Sequence, residues 1–426
     1  MSRTWFIAPV VAATALGPPA APAAASGFAI REQSASFQGA SFAGVAAGGD
    51  DVSTMFFNPA TLARHDDTRL HLSASYVIPS AEFRLDAATD GAGTTVTGGT
   101  GGDIADDALV PAVYAATRWR DLHFGLGVTA PFGLRTDQPE SWVGRYHATE
   151  SELTTVNINP AVAYAIDDRL SVAAGFVAQY ADATLARAVD LSGPGAAPRP
   201  ATDATTKVTG DDWDYGFTLG LLAEPRDGTR IGLSYRSQIN HTLEGDFTVT
   251  APDGGRGKDT GRAALATPQI VNLGIRHRLT DRIDVLGTVE WTGWSSFDEL
   301  KIQLGSGREI VTPERWDDTW FVALGAEYRP RDDLALTAGA AFDQSPIDDR
   351  FRTPRIPGND RTWVSLGVAW TPRPNVTLGG GYSHLFVTDG DVDLEGGPTG
   401  AGGRGDLRGR FENAVDIVVL NGTLRF

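Results

Sequence analysis

From about residue 69 onward the chain alternates between apolar and small or polar residues in short segments. Leu70, Leu72, Ala74, Tyr76 and Ile78 share one face of a first segment. Leu122, Phe124, Leu126 and Val128 alternate with His123, Gly125, Gly127 and Thr129. The same pattern returns at Val156–Ile166, Ile283–Trp291, Leu334–Phe342 and Val364–Trp370. A period of two is the signature of a β-strand with unlike faces. One face carries Leu, Val and aromatics, and the other carries Gly, Ala, Ser, Thr and charges. That fits strands whose apolar side meets lipid and whose polar side lines a wet or plugged bore. A two-sheet sandwich alternates in the same way, with its apolar faces turned on each other, so further signals have to decide.

Four signals favour the barrel. The chain ends on a strand, Ile417 to Phe426, whose last residue is an aromatic on the apolar face. Connections alternate between short and long. The short ones are tight and charged, at Trp119–Asp121, Asp167–Arg169, Pro225–Gly228, Thr280–Arg282, Pro330–Asp333 and Pro372–Asn375. The long ones are rich in Gly, Pro and Asp, at 81–108, 135–152, 188–206, 250–262, 301–313, 348–360 and 393–407. Six short and seven long connections predict about fourteen antiparallel strands, with short periplasmic turns and long outer loops. Trp119, Tyr328, Trp370 and Phe426 sit at strand ends, as an interfacial girdle requires. Residues 1–25 read as a cleaved secretory signal: Arg3, an apolar stretch from Phe6 to Leu16, and Ala23-Ala24-Ala25.

Composition narrows the function. No apolar run reaches the length of a spanning helix. The 426 residues contain no Cys, so an exported chain has no disulfide staples and depends on a closed hydrogen-bonded framework. The formal net charge of −17 argues against nucleic acid, which needs clustered Lys and Arg. There is no GxSxG elbow, no HExxH helix and no P-loop, and the seven His are scattered. Gly125-Leu-Gly-Val-Thr-Ala130 imitates half a dinucleotide fingerprint but lies within an alternating strand. No cofactor and no metal site is expected.

Residues 26–66 do not alternate, and the barrel is assigned to 67–426. Asp51 or Ser53 is placed to cap a short helix, and Asn58 to cap another that starts at Pro59. About forty residues are too few for a domain with its own core. Two readings remain: a hatch, or plug, inside the lumen, or a periplasmic extension.

Several stretches now point to one family. They are SGFAIREQSASFQGASFAG, DDVSTMFFNPATLA, VTAPFGLRT, ESWVGRYHATESELTTVNINPAVAY, RIGLSYRSQI, LGTVEWTGWSSFDELKI, AFDQSPI and IPGNDRTWVSLG. Their order resembles the FadL-type outer-membrane transporters of long-chain fatty acids and aromatic hydrocarbons. The resemblance implies a fourteen-stranded barrel, an N-terminal hatch, and passive uptake of hydrophobic molecules. These would be captured outside, bound in the lumen and released sideways through the wall.

Such an exit needs a gap in the ladder. Thr129-Ala-Pro-Phe-Gly133 in the third strand is the candidate, because Pro131 has no ladder donor and Gly133 tolerates kinked dihedrals. An ordinary bulge is the alternative. The resemblance assigns Asn58, Pro59 and Ala60 to the hatch against this kink (Pro131, Phe132, Gly133), with Asn58 bonding backbone near it. Parity places Arg187 toward the lumen at the outer end of the fifth strand, where the resemblance implies a headgroup contact; a rim salt bridge is the alternative. Phe28 and Asp360 match ligand-side residues of the family, although strict parity turns Asp360 outward. Where relatives carry a second base before the tenth strand, this chain has Asp317 or Asp318, which weakens the case for a carboxylate ligand. The 250–262 loop is short and polar and argues against an external greasy groove.

The expected fold is all-β, a transmembrane antiparallel barrel with a luminal hatch. The expected partners are a hydrophobic small molecule and the lipid and lipopolysaccharide of a bacterial outer membrane, with the barrel a monomer and not an enzyme. A plugged adhesin or receptor, and an outer-membrane acyl hydrolase, are the competing functions.

Overall fold

The computed structural model describes residues 27–192, 196–396 and 403–426. The expected signal segment lies outside them. The chain forms a closed antiparallel β-barrel of fourteen strands. In order these are β1 (Arg69–Ala88), β2 (Ala108–Trp119), β3 (Leu122–Thr129 and Gly133–Asp137), β4 (Glu150–Asp167) and β5 (Leu170–Asp190). Next come β6 (Asp203–Arg226), β7 (Thr229–Arg236 and Ile239–Thr250), β8 (Arg256–Thr267 and Ile270–Thr280) and β9 (Ile283–Thr292 and Glu299–Leu304). The last are β10 (Glu309–Pro313 and Thr319–Arg331), β11 (Leu334–Asp343), β12 (Arg361–Arg373), β13 (Val376–Val387 and Gly390–Leu394) and β14 (Leu407–Arg425). Each strand pairs with the next, and β14 closes on β1 from Arg69↔Arg425 to Ala88↔Leu407. Closure leaves no open edge, which a barrel in lipid cannot tolerate.

The two strand faces have opposite chemistry. Leu324, Leu366 and Leu420 are 68%, 62% and 67% exposed, and Leu72, Phe124, Phe176, Val364 and Trp370 share their outward face. The inward face buries His71, Asn157, Gln179, Arg276, Glu290, Asp343 and Arg361. Apolar-out and polar-in decides against the sandwich. Among the described residues no helix is long and apolar enough to cross a membrane.

Several outer connections are shorter than the sequence suggests. The ladder β7–β8 runs to Thr250↔Arg256, and β9 and β10 pair out to Gln303↔Glu309. Backbone pairing needs no apolar face, so strands extend past the lipid belt where alternation fades.

Residues 27–66 fold as short turns. Asp51 caps Val52–Phe56 by accepting from Ser53 N at 2.8 Å. Asn58 caps Pro59–Arg64 by accepting from Ala60 N at 3.0 Å. Inward-facing strand residues hold this segment: Gln38 donates to Ser383 (2.9 Å), Ser41 to Ser365 (2.7 Å), and Gly44 N to Thr288 Oγ1 (2.9 Å). The approach is backbone to backbone at two wall glycines. A Cβ on Gly232 would lie 1.8 Å from Ala46 O, and one on Gly339 would lie 2.2 Å from Ala40 O.

Candidate functional site: an interrupted ladder beside two cavities

β2 and β3 pair from Trp119↔Leu122 to Val113↔Val128, and the ladder then stops. One bridge, Ala105↔Thr136, re-forms farther out. Ala105 lies eight positions before Val113 and Thr136 eight after Val128, so the register is unchanged and seven residue pairs between them are unmade. On its other edge β3 pairs Thr129↔Asn157 and then Gly133↔Thr154. Four steps on β3 against three on β4 make a one-residue bulge at Ala130-Pro131-Phe132. The kink and the bulge, alternatives in sequence, are one feature.

Unpaired backbone at lipid depth costs several kcal/mol per group. Here each polar backbone group of the bulge has a partner. Gln33 donates Nε2 to Ala130 O (2.8 Å), and its Oε1 accepts from Ala130 N (3.1 Å). Ile30 N donates to Pro131 O (2.7 Å), and Pro131 has no donor to satisfy. Phe132 N donates to Thr155 Oγ1 (3.0 Å), and Thr155 N and Oγ1 both donate to Phe132 O. Gly133 N donates to Phe28 O (2.8 Å). The N-terminal segment thus supplies bonds that β2 does not.

Phe28 is also the centre of an aromatic cluster. Its ring lies 4.7 Å from Trp294, 5.5 Å from Trp316, 5.6 Å from Phe297 and 6.0 Å from Phe132. Cavities adjoin this cluster. One, with about 780 Å³ of empty space that opens to solvent, is lined by Phe28, Leu134, Leu243, Leu265, Phe297 and Ile302, with Glu152, Glu314 and Arg355 as its charged residues. The other, with about 760 Å³ of empty space that also opens to solvent, is lined by Ile30, Pro131, Phe132, Trp294 and Trp363, with Arg31, Arg236, Glu290 and Asp343 as its charged residues. We call them the outer and inner cavities.

Arg355 gathers four neutral acceptors: Glu150 O, Ser151 Oγ, His147 O and Ala186 O. Burial, with Arg404 and Arg187 nearby, pulls its guanidinium down to about 9. The same burial and the same three arginines hold His147 at about 3, hence neutral. Glu314 is pushed up to about 8 by burial, against the pull of Arg355 and Arg404. Among the described residues no carboxylate is within ion-pair distance of Arg187, Arg355 or Arg404. A carboxylate arriving in the outer cavity therefore meets Arg355, which no carboxylate pairs with directly, while Arg187 and Arg404 lie behind it.

The residues singled out in sequence divide. Phe28 lines the outer cavity, and Pro131 and Phe132 the inner one. Arg187 lines neither cavity; its Nη1 reaches Tyr146 O at 3.4 Å beside the other arginines, and no rim salt bridge forms. Asp360 accepts from Ser345 N (2.8 Å) in the outer connection, and Asp343 rather than Asp360 lines a cavity. Asn58 does not reach the kink: its Nδ2 donates to Ala46 O (2.7 Å) and Leu221 O (3.0 Å), because its turn packs on β6. With Pro59 and Ala60 it lies against Gly220. Gln33 performs the role expected of Asn58. Asp318 is spent on Ser295 N, and Arg355 and Arg404 from the outer connections lie near Arg187.

Comparison with known proteins agrees with this geometry. The chain is 30% identical to an outer membrane protein of Neisseria meningitidis serogroup B, covering 94% of this chain and 95% of that one. It is 27% identical to the long-chain fatty acid transport protein of Salmonella typhi, over 87% and 91%. Its fold matches the crystal structure of a Pseudomonas aeruginosa FadL homologue with a TM-score of 0.89 at 25% identity, covering 94% of this chain and all of that one. The family model described as outer membrane protein transport protein (OMPP1/FadL/TodX) matches residues 19–426. The chain belongs to this family of outer-membrane transporters of hydrophobic substrates.

Proposed function

We propose that this chain is a passive, monomeric conduit for hydrophobic molecules with an acidic head, long-chain fatty acids foremost. A solute enters the outer cavity with its carboxylate toward Arg355, which Arg187 and Arg404 back, and its tail among Leu134, Leu243 and Phe297. Its tail presses on Phe28. Phe28 O holds Gly133 N, so displacing Phe28 loosens the bulge. Residues 26–66 act as the hatch, the solute passes to the inner cavity, and it leaves between β2 and β3 into the bilayer. Residues 1–25 serve as the export signal, and no chemistry on the solute is required.

The observation that carries this reading is the in-register window of seven unmade pairs, backed by a bulge whose backbone is satisfied by the N-terminal segment. A plugged adhesin has no use for such a window. Neutral hydrocarbons fit the apolar linings but leave the arginines unused. The test is oleate uptake by outer-membrane-intact cells whose own fatty-acid transporter is deleted. Expression of this chain should restore growth on oleate. Stable surface display without growth or uptake would refute the reading.

A further inference from the structure

The inner cavity contains a second cation without a counterion. Arg236 faces inward on β7, since Ile231, Leu233 and Tyr235 take the outward positions. It is 8% exposed and makes no ion pair among the described residues. Its Nη2 donates to Phe56 O (2.7 Å), and its guanidinium lies over the Phe56 ring at 4.2 Å. Its Nη1 is buried without a protein acceptor. Directly opposite on β6 stands Thr218, whose Oγ1 is likewise buried and unpartnered. Both residues line the inner cavity beside Pro131 and Phe132.

The acids facing the same cavity are already engaged. Glu290 pairs with Arg31 at 2.8 Å and accepts from Asn272, and Asp343 faces Arg361 at 3.9 Å. A buried guanidinium with a free donor is expensive to keep and strongly favours an arriving anion. We propose that Arg236 and Thr218 form an inner carboxylate site, which receives the head of an alkyl carboxylic acid after it leaves Arg355 and before it passes between β2 and β3. The inference rests on the transport reading for its role, but occupancy is measurable without transport.

Decanoate binding to the purified full-length chain supplies the test, because a short chain counts the two heads separately. The wild type should bind two decanoates and R236M one, while R236K keeps two. Arg355→Met should lose the other. T218V keeps the guanidinium and should weaken only the inner site, by several-fold, so the proposal remains testable if R236M fails to fold. Decanol should bind wild type and R236M alike. One decanoate in the wild type, or two retained in R236M, would overturn the inner site. Two bound decanoates with no oleate uptake would instead leave the site standing and refute the transport reading.

Discussion

Replacing Ala130-Pro131 by a single valine removes the bulge while keeping Phe132. Ladder pairing to β4 then continues in one register, since β3 loses its one extra residue. Six β3 residues then stand between Val128 and Thr136, so up to six pairs to β2 become available, with Thr136 shifted by one residue on β2. An antiparallel ladder carries on average one backbone bond per pair, so this is about six bonds. The bulge gives up four bonds to the N-terminal segment: two with Gln33, one with Ile30 and one with Phe28. At about 0.5–1.5 kcal/mol net per bond, the balance of two favours the closed wall by roughly 1–3 kcal/mol. The wild type therefore forgoes stability to keep the window. The variant should lose its folded band on detergent gels at a higher temperature than wild type. Its oleate uptake should fall at least tenfold while decanoate binding to the outer cavity persists. A stabilised variant with unchanged uptake would refute sideways exit, and a destabilised one would refute the ladder accounting.

Other perturbations give separate checks. Glu314 is held near 8, above the ordinary carboxyl value of 4.5, so the folded protein keeps a proton that the unfolded chain releases. Its ionisation then lowers stability as pH rises from about 4.5 to 8, and it sets a negative charge beside Arg355. Decanoate should bind several-fold tighter at pH 6.5 than at pH 9, as Glu314 ionises and Arg355, held near 9, begins to lose its charge, and Glu314→Gln should remove the part of that loss that sets in near pH 8 in a calorimetric titration. Phe28→Ala removes a ring from the cluster joining the cavities. It should cost about 3–5 kcal/mol of packing and raise uptake of small neutral aromatics, read by dye influx. Gly232→Val would drive a methyl-bearing carbon into Ala46 O, so the segment should unseat and bilayer conductance should rise, with unchanged conductance as the contrary result.

Much of this was legible in the sequence because strand parity is a local rule. The outward positions of Leu72, Phe124 and Val364 follow from counting by twos, and so does the inward position of Arg236, within the RIGLSYRSQI stretch. Pro131 marks the kink because proline cannot join a ladder. Asp51 and Asn58 mark their turns through side chains that bond two residues ahead. What stayed hidden depends on long-range placement. Gln33 meets Ala130 across 97 residues, and Arg355 meets His147 across 208. No periodicity encodes such meetings. Asn58 was misassigned for the same reason: its capping role is local, whereas the wall it faces is set by how the whole segment turns inside the barrel.

The path through the wall is the central claim, and photolabelling follows it directly. A diazirine-tailed fatty acid, supplied to intact cells during uptake and mapped by mass spectrometry, should mark the outer cavity at Leu134 and Phe297. It should then mark the window at Leu109, Ala130 and Pro131. Labels that skip the window and appear on the far side of the N-terminal segment, at Ala335 and Thr337, would mean that the solute runs through the bore instead.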